Sequence, residues 1–230
     1  MTKILLVEDD RSLAMLIQDN LEREGYAVLH AGDGAAALAH YETGQPDLLI
    51  LDVMLPVHDG FTLARKIRLH DQSTPILFLT SKARPKDVVQ GFEAGGNDYL
   101  KKPFGLEELL IRVRVLLSNG RLLHHRPAPD HHEFGQLTFV PNRRQLIPSH
   151  GDPIQLTLRE ADLLQFLCRQ EGRVVPKEDI LQAIWGDDSF LNSRSLDVFI
   201  SRLRKYLQAE PLVEIVNQRG IGYMLVVHRA

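Results

Sequence analysis

Five short apolar runs, separated by segments with helical spacing, dominate the first half of the chain. They are Ile4–Val7, Ala27–Leu29, Leu48–Leu51, Ile76–Leu79 and Tyr99–Leu100. Each run suits a buried strand, and none is long enough to cross a bilayer. Strands that alternate with amphipathic helices predict repeated βαβ units around a parallel sheet. We therefore expect the α/β fold class here, in the form of a doubly wound domain with five parallel strands.

Polar side chains stand directly after four of these runs. Glu8 and Asp9 follow the first run, Asp52 the third, Thr80 the fourth and Lys102 the fifth. The carboxyl ends of parallel strands meet at one edge of the sheet, which is where ligands bind in such folds. Three carboxylates brought together there repel one another unless a cation intervenes. Mg²⁺ takes oxygen ligands of this kind and leaves room for a phosphate, so the pattern predicts a magnesium site.

The same edge also predicts covalent chemistry at Asp52. The ammonium group of Lys102 and the hydroxyl group of Thr80 are suited to hold phosphoryl oxygens beside a carboxylate nucleophile. Taken singly these residues mean little, and Asp10 is more simply interpreted as the cap of the following helix. Together they predict an aspartate that is phosphorylated.

These residues lie in motifs that resemble the receiver domain of two-component response regulators. The matching segments are "ILLVEDD", "LLILDVMLPVHDG", "LFLTS" and "DYLKKPF". The resemblance implies that Asp52 accepts a phosphoryl group from a sensor histidine kinase. It implies that Glu8, Asp9, Asp52 and the backbone carbonyl of Met54 hold Mg²⁺. It also implies that Lys102, before a cis-Pro103, contacts the phosphoryl group, with Thr80 and an inward-turning Tyr99 transmitting the change.

The second half of the chain has a different composition and a different expected partner. Residues 1–120 contain 13 basic and 17 acidic residues, whereas residues 121–230 contain 14 and 13. A proline- and histidine-containing stretch at 121–132 predicts a flexible linker between domains at 1–120 and 133–230. Helical segments are predicted near Leu158–Cys168, Lys177–Trp185 and Ser193–Leu207, followed by a hairpin. Three helices and a terminal hairpin indicate a winged helix-turn-helix of the α+β class, which binds DNA.

The third of these helices has the pattern of a DNA recognition helix. At about 100° per residue, Leu196, Ile200, Leu203 and Leu207 share a core face, and basic residues occupy the other side. An ordinary amphipathic surface helix explains the leucines equally well. Arg219, at the turn of the hairpin, shifts the interpretation toward DNA, because an exposed arginine there can enter a minor groove.

Residues 134–228 resemble the effector domain of the OmpR/PhoB class of response regulators. The matching segments are "LTLREADLL", "KEDILQAIWG", "NSRSLDVFISRLRKYL" and "VNQRGIGYMLV". The resemblance implies a set of DNA contacts: Arg194, Ser195, Arg204 and Lys205 to phosphates, Asp197, Val198, Ser201 and Arg202 toward base edges, and Arg219 in the wing. Val198 either contacts a thymine methyl group or is partly buried. Phe199 and Ser201 stand where the class often has polar or basic residues, which bears on the strength of the backbone contacts.

Members of this class also pair through one face of the receiver domain. Asp98 and Arg112 match one charge pair of that face, and Glu93 and Glu108 supply further acids. Val88 stands where a basic partner of Glu108 is usual, and Asn97 replaces a common acid. These two departures predict a weaker dimer, or a trigger that is less strictly phosphorylation.

The sequence thus predicts a cytoplasmic, non-enzymatic transcription regulator that assists at most its own phosphorylation and dephosphorylation. Expected partners are a sensor histidine kinase, promoter DNA, a second copy of the chain and, by resemblance, RNA polymerase, but no membrane. The main alternative is an atypical receiver that binds DNA without phosphorylation, although Asp52, Thr80 and Lys102 are all present. A haloacid-dehalogenase-type phosphatase is disfavoured, because Met54 stands where its second aspartate belongs.

Overall fold

A computed structural model describes residues 1–56, 59–81, 85–117, 131–186 and 190–228, without the side chains of 85, 86, 88 and 190–192. The chain divides into two compact units, Met1–Asn119 and Gly120–Ala230. Except for its last two residues, the linker predicted at 121–132 lies outside the described residues. Among the helices described, none has the length and apolar character needed to cross a membrane.

The first unit is the predicted doubly wound α/β domain. Five parallel strands are ordered β2-β1-β3-β4-β5, and helices alternate with them along the chain. The strands are β1 Lys3–Val7, β2 Ala27–Ala31, β3 Leu48–Asp52, β4 Ile76–Thr80 and β5 Asp98–Lys101. The helices are α1 Arg11–Arg23, α2 Gly34–Gly44, α3 Gly60–Arg68, α4 Pro85–Glu93 and α5 Leu106–Leu117.

Burial of the central strands explains their continuous apolar sequence. Every residue of β3 and β4 is buried, as are the last four of β1, because helices cover both faces of a parallel sheet. A polar side chain in the middle of such a strand would be buried without a partner, at a cost of about 1–3 kcal/mol. The polar residues therefore come where the strands end. In register, Asp52 of β3 lies opposite Leu79, and Thr80 of β4 lies opposite Lys101.

Local sequence signals fix the helices that leave this edge. The Asp10 carboxylate accepts hydrogen bonds from the amides of Ser12 and Leu13, which confirms its predicted role as the cap of α1. Gly60, the first residue of α3, lets that helix approach the end of β3 closely. A Cβ atom on Gly60 would stand 2.3 Å from the carbonyl oxygen of Asp52. The start of α3 therefore supports the backbone that presents the Asp52 carboxylate.

The second unit combines two antiparallel sheets with three helices. A four-stranded sheet is formed by β6 His132–Phe134, β7 Leu137–Val140, β8 Gln145–Pro148 and β9 Ile154–Gln155. Then come α6 Leu158–Arg169, β10 Val175–Pro176, α7 Lys177–Trp185 and α8 Phe190–Leu207. The strands β11 Val213–Gln218 and β12 Gly222–Val227 form the predicted hairpin, with β10 paired to β12. This is the winged helix-turn-helix arrangement.

The core of the second unit forms where the three helices pack together. Leu196, Ile200, Leu203 and Leu207 of α8 are all buried, as the helical periodicity predicts. α8 begins at Phe190, three residues before the predicted start. The strands β6, β9 and β10 are too short, at two or three residues, to leave a periodic signal in the sequence.

Asp162 of α6 gives this unit a pH-dependent stability. Burial raises the pKa of the Asp162 carboxyl group to about 6, although Arg159 and Arg144 oppose the shift. A folded pKa above the unfolded value means that the stabilising contribution is complete below about pH 4 and is lost as the pH rises through about 6. We expect a loss of about 2–3 kcal/mol in the free energy of unfolding across that window.

Urea denaturation at a series of pH values tests this prediction, with Asp162→Asn compared to the wild type. Trp185 is the single tryptophan of the chain, so its fluorescence reports unfolding of this unit alone. Asp162→Asn should flatten the pH dependence, whereas Asp152→Asn, at an exposed position of the same unit, should retain it. Equal pH slopes for Asp162→Asn and wild type would contradict the assignment.

Candidate phosphorylation site and DNA-binding face

Three carboxylates meet at the carboxyl edge of the parallel sheet. Glu8, Asp9 and Asp52 each place one oxygen so that these atoms all lie within 4.8 Å of one another. Glu8 and Asp52 are buried, with 1% and 4% of their surface exposed, and Asp9 is exposed. Hard oxygen ligands, buried on one side and open to solvent on the other, are what Mg²⁺ requires. The donor set therefore fits this ion.

Lys102 bridges the two buried acids. Its Nζ lies 2.7 Å from Glu8 Oε2 and 2.7 Å from Asp52 Oδ2. The other oxygen of Asp52 accepts a hydrogen bond of 2.8 Å from the amide of Met54, the residue whose carbonyl is the fourth predicted metal ligand. The Asp52 side chain is thus fixed in orientation by one backbone donor and one ammonium group.

The electrostatic environment of these groups follows from their burial. Desolvation raises the pKa of Glu8 to about 7, the Asp52 charge adds to the increase, and the hydrogen bond from Lys102 opposes it. Burial alone would lower the pKa of Lys102, but its hydrogen bonds to the two carboxylates raise it overall. The pocket therefore attracts positive charge, and Lys102 supplies that charge when no other cation is present.

The remaining predicted residues of this site lie on β4, on β5 and after β5. Thr80 is fully buried at the end of β4, and its carbonyl accepts a hydrogen bond of 2.8 Å from the Lys102 amide. The Lys102–Pro103 peptide is cis, as predicted. Tyr99 points inward with 2% of its surface exposed, and its hydroxyl group donates to the Asp87 carbonyl at 3.3 Å.

The face of α8 opposite its core carries most of the predicted DNA contacts. Four of the predicted side chains on this helix are exposed: Arg194, Ser201, Arg204 and Lys205. Arg219 is exposed at the turn between β11 and β12, as expected of a wing residue. Arg204 also donates from Nε to the Ile215 carbonyl at 2.9 Å, which ties this helix to the first strand of the wing. Val198 is half-buried on the same helix.

The prediction that Ser195 faces outward is wrong. Its side chain is fully buried, and so is that of Phe199. At about 100° per residue, both lie on the flank of the core face beside Leu196 rather than opposite to it. Phe199 packs against Trp185 of α7, with ring centroids 5.9 Å apart. The buried arc of α8 is therefore wider than its leucines indicate, and Phe199 has no bearing on backbone contacts to DNA.

Two charged residues predicted to face base edges are engaged by neighbours within the unit. Asp197 Oδ1 accepts a hydrogen bond of 2.9 Å from Lys177 Nζ and another of 2.9 Å from the hydroxyl group of Tyr223. Arg202 forms an ion pair of 3.3 Å with the buried Glu160 of α6. Asp197 thereby links the recognition helix to α7 and to the wing, and Arg202 links it to α6.

Lys177, Tyr223 and Glu160 are the residues of this face that the sequence prediction missed. Lys177 is the first residue of α7, and Tyr223 is the second residue of β12. Their contacts with Asp197 depend on the packing of α7, α8 and β12 against one another, which the sequence pattern does not predict. Glu160 had a weak signal as the fourth residue of Thr157–Glu160, a capping box whose Thr157 amide donates to Glu160 at 2.8 Å.

The charged residues of the predicted receiver dimer face make contacts within one chain. Arg112 Nη1 lies 3.1 Å from each carboxylate oxygen of Asp98, and Arg112 Nη2 lies 2.8 Å from Glu108 Oε1. Glu93 is exposed at the end of α4. The side chain of Val88 lies outside the described residues.

Asn97, the other departure in this face, is buried within one chain. Only 1% of it is exposed, and its side-chain oxygen accepts hydrogen bonds from Arg68 Nη2 at 3.1 Å and from the Ile76 amide at 2.8 Å. Asp98 beside it is equally buried, so the effect of the missing acid on the pairing of two chains stays a prediction.

Comparison with known proteins agrees with both halves of this description. Residues 4–114 match the family of the response regulator receiver domain, and residues 151–225 match the C-terminal domain of transcriptional regulatory proteins. The chain belongs to the two-component response regulators of the OmpR/PhoB class. It is accordingly a transcription regulator controlled by phosphorylation, and its two domains imply a histidine kinase partner and DNA as a ligand.

Individual relatives span almost the whole chain. The transcriptional regulatory protein RprY of Bacteroides fragilis is 37% identical, over 97% of this chain and 94% of its own length. TrcR of Mycobacterium tuberculosis is 40% identical, over 97% of this chain and 86% of its own. Among solved structures, the response regulator DrrB of Thermotoga maritima, an OmpR/PhoB homologue, aligns with a TM-score of 0.52 and 31% identity, over 98% of this chain and 99% of its own.

Proposed function

We propose that Asp52 is the phosphoryl acceptor of this regulator. The observation that carries the proposal is the shared contact of Lys102 with Asp52 and Glu8, beside the exposed Asp9. An oxygen of Asp52 forms a bond to phosphorus while the phosphorus–nitrogen bond of a phosphohistidine breaks, and the leaving imidazole keeps the electron pair and takes up a proton. The amide of Met54 and the ammonium of Lys102 hold the carboxylate in one orientation for that step.

Mg²⁺ is the cofactor that suits this site. The ligands are the carboxylates of Glu8, Asp9 and Asp52 and the carbonyl of Met54. When bound, the ion supplies positive charge to the phosphoryl oxygens. Lys102 neutralises part of the same charge, and the hydroxyl group of Thr80 donates to a phosphoryl oxygen at the end of the neighbouring strand. The same groups allow the chain to assist its own phosphorylation and dephosphorylation.

Phosphorylation then acts on DNA through the second unit. The recognition helix α8 contacts phosphates through Arg194, Arg204 and Lys205, and the wing contributes Arg219. Ser201 and Val198 lie on the same face and reach base edges. The phosphorylated receiver forms a homodimer through the face that contains Glu93, Asp98, Glu108 and Arg112, and the dimer works with RNA polymerase. The receiver domain comprises residues 1–120 and the DNA-binding domain residues 133–230, and a linker at 121–132 joins them.

Replacement of Glu8 tests the metal site. Glu8→Gln substitutes a neutral amide oxygen for a charged ligand, so we expect the Kd for Mg²⁺ to increase by about tenfold or more. Isothermal titration calorimetry measures this directly. Asp10→Asn is the matched control, because Asp10 caps α1 and takes no part in the carboxylate cluster. An unchanged Kd in Glu8→Gln would remove Glu8 from the ligand set.

Replacement of Asp52 tests the acceptor. With Mg²⁺ and acetyl phosphate, the wild type should take up one phosphoryl group per chain and bind its promoter DNA more tightly, whereas Asp52→Ala should do neither. Intact-protein mass spectrometry and DNA titration measure the two effects. Asp47→Ala, at the exposed start of β3, is the control and should behave as the wild type. Phosphoryl uptake by Asp52→Ala would exclude Asp52 as the acceptor. Equal DNA affinity of the phosphorylated and unphosphorylated wild type would favour an atypical receiver.

Salt dependence tests the DNA-binding face. Lys205→Ala removes one exposed positive charge from α8, so the slope of log K against log salt should decrease by about 1 on any duplex. Arg114→Ala removes the same charge from an exposed ion pair with Glu24 in the first unit and should leave the slope unchanged. Equal slopes for Lys205→Ala and the wild type would place the phosphate contacts elsewhere.

A further inference from the structure

The inward position of Tyr99 depends on the absence of a side chain at residue 91. The Tyr99 ring is enclosed by Phe78 and Phe92, with ring centroids 5.2 and 5.4 Å away. The ring also lies against the backbone of α4 at Gly91. A Cβ atom on Gly91 would stand 1.9 Å from Tyr99 Oη and 2.5 Å from Cζ and Cε2. Those distances are far inside van der Waals contact, so any other residue at 91 excludes this position of the tyrosine.

Helix geometry gives no other reason for a glycine there. Gly91 lies inside α4 and does not have a positive φ, so its backbone is one that any residue adopts. A glycine inside a helix costs about 0.5–1 kcal/mol relative to alanine. The space that the glycine leaves is filled by the phenol group of Tyr99, which offsets this cost through burial.

Tyr99 also contacts the preceding turn of the same helix. Its hydroxyl group donates to the Asp87 carbonyl at 3.3 Å, one turn before Gly91. The phenol group therefore spans two turns of α4 from its base on β5. A change in the position of Tyr99 is in this way linked to the position of α4.

We propose that Gly91 is a positioning residue of the phosphorylation switch: it admits the Tyr99 ring against α4 and so couples β5 to that helix. The proposal deepens the function proposed above and rests on it, because the coupling matters only if Asp52 is phosphorylated. Alanine at 91 should force the ring out, since Phe78 and Phe92 are fully buried and leave it no space to move sideways. Phosphoryl uptake should continue, but its effect on α4 should be lost.

The accessibility of the Tyr99 phenol group tests, in unphosphorylated protein, whether Gly91 is needed for the inward position of the ring. Burial raises the pKa of Tyr99 strongly, so its reactive phenolate form is suppressed in the wild type. Nitration by tetranitromethane, followed by peptide mass spectrometry, should therefore be at least about tenfold faster at Tyr99 in Gly91→Ala. Gly32→Ala is the matched control, because a Cβ atom there meets nothing within 4 Å. It should leave the nitration rate of Tyr99 unchanged.

A double variant separates this role from a general loss of stability. If the Cβ atom at residue 91 is harmful because it meets the Tyr99 ring, it should do little harm once the ring is removed. Gly91→Ala should therefore lower the melting temperature of the wild type but have little further effect on that of Tyr99→Ala. A destabilisation that persists unchanged in the double variant would overturn the proposal, as would a wild-type nitration rate in folded Gly91→Ala.

The coupling between Tyr99 and α4 is tested in phosphorylated protein. Gly91→Ala should take up phosphate from acetyl phosphate as the wild type does, yet show a several-fold smaller gain in dimerisation by sedimentation. A full gain in dimerisation would contradict the coupling. If instead the wild type takes up no phosphate at Asp52, the proposed function fails, while the nitration result still stands as evidence on Gly91.

Discussion

The site of the receiver domain depends on one interaction: the ammonium group of Lys102 contacts both Glu8 and Asp52. Parallel strands end at one edge of the sheet, so their terminal side chains are brought together whatever their charge. Two buried carboxylates at that edge require a cation, and the ammonium group of Lys102 lies 2.7 Å from each. In the function proposed above, phosphorylation of Asp52 would replace its single negative charge with a more highly charged group. The same lysine, the hydroxyl group of Thr80 and a bound metal ion would then neutralise the added charge.

The second unit solves a related problem of charge on its DNA-binding face. Asp197 places a carboxylate on the helix that is to approach phosphates, which repels DNA unless the charge is neutralised. Lys177 and Tyr223 hold that carboxylate at 2.9 Å each, from the preceding helix and from the wing. The acid therefore fixes the three elements relative to one another, and its predicted contact with a base edge stays a prediction. Arg202 is anchored in a similar way by Glu160, and the exposed cations of α8 are left to supply the attraction.

The sequence predicted best those features that a single element determines. The leucine run before Asp52 predicted a buried strand with the acid at its end, and the limits of α7 were predicted without error, because burial and periodicity act within one segment. Features that depend on how helices and strands pack against one another could not be predicted from the sequence. Ser195 was placed outside because the width of the buried arc of α8 is set by two neighbouring helices. The contact between Asn97 and Arg68 was not predicted, because Arg68 lies 29 residues away in the chain.

Chemical trapping of the acyl phosphate identifies the residue that accepts the phosphoryl group. Borohydride reduces an aspartyl phosphate to homoserine, so the modified residue is marked permanently and is located by peptide mass spectrometry after incubation with the kinase or with acetyl phosphate. We expect homoserine at residue 52 and unmodified aspartate at residues 9 and 10. Homoserine at either of those positions with none at 52, or a phosphorylated protein in which no carboxyl group can be reduced, would contradict it.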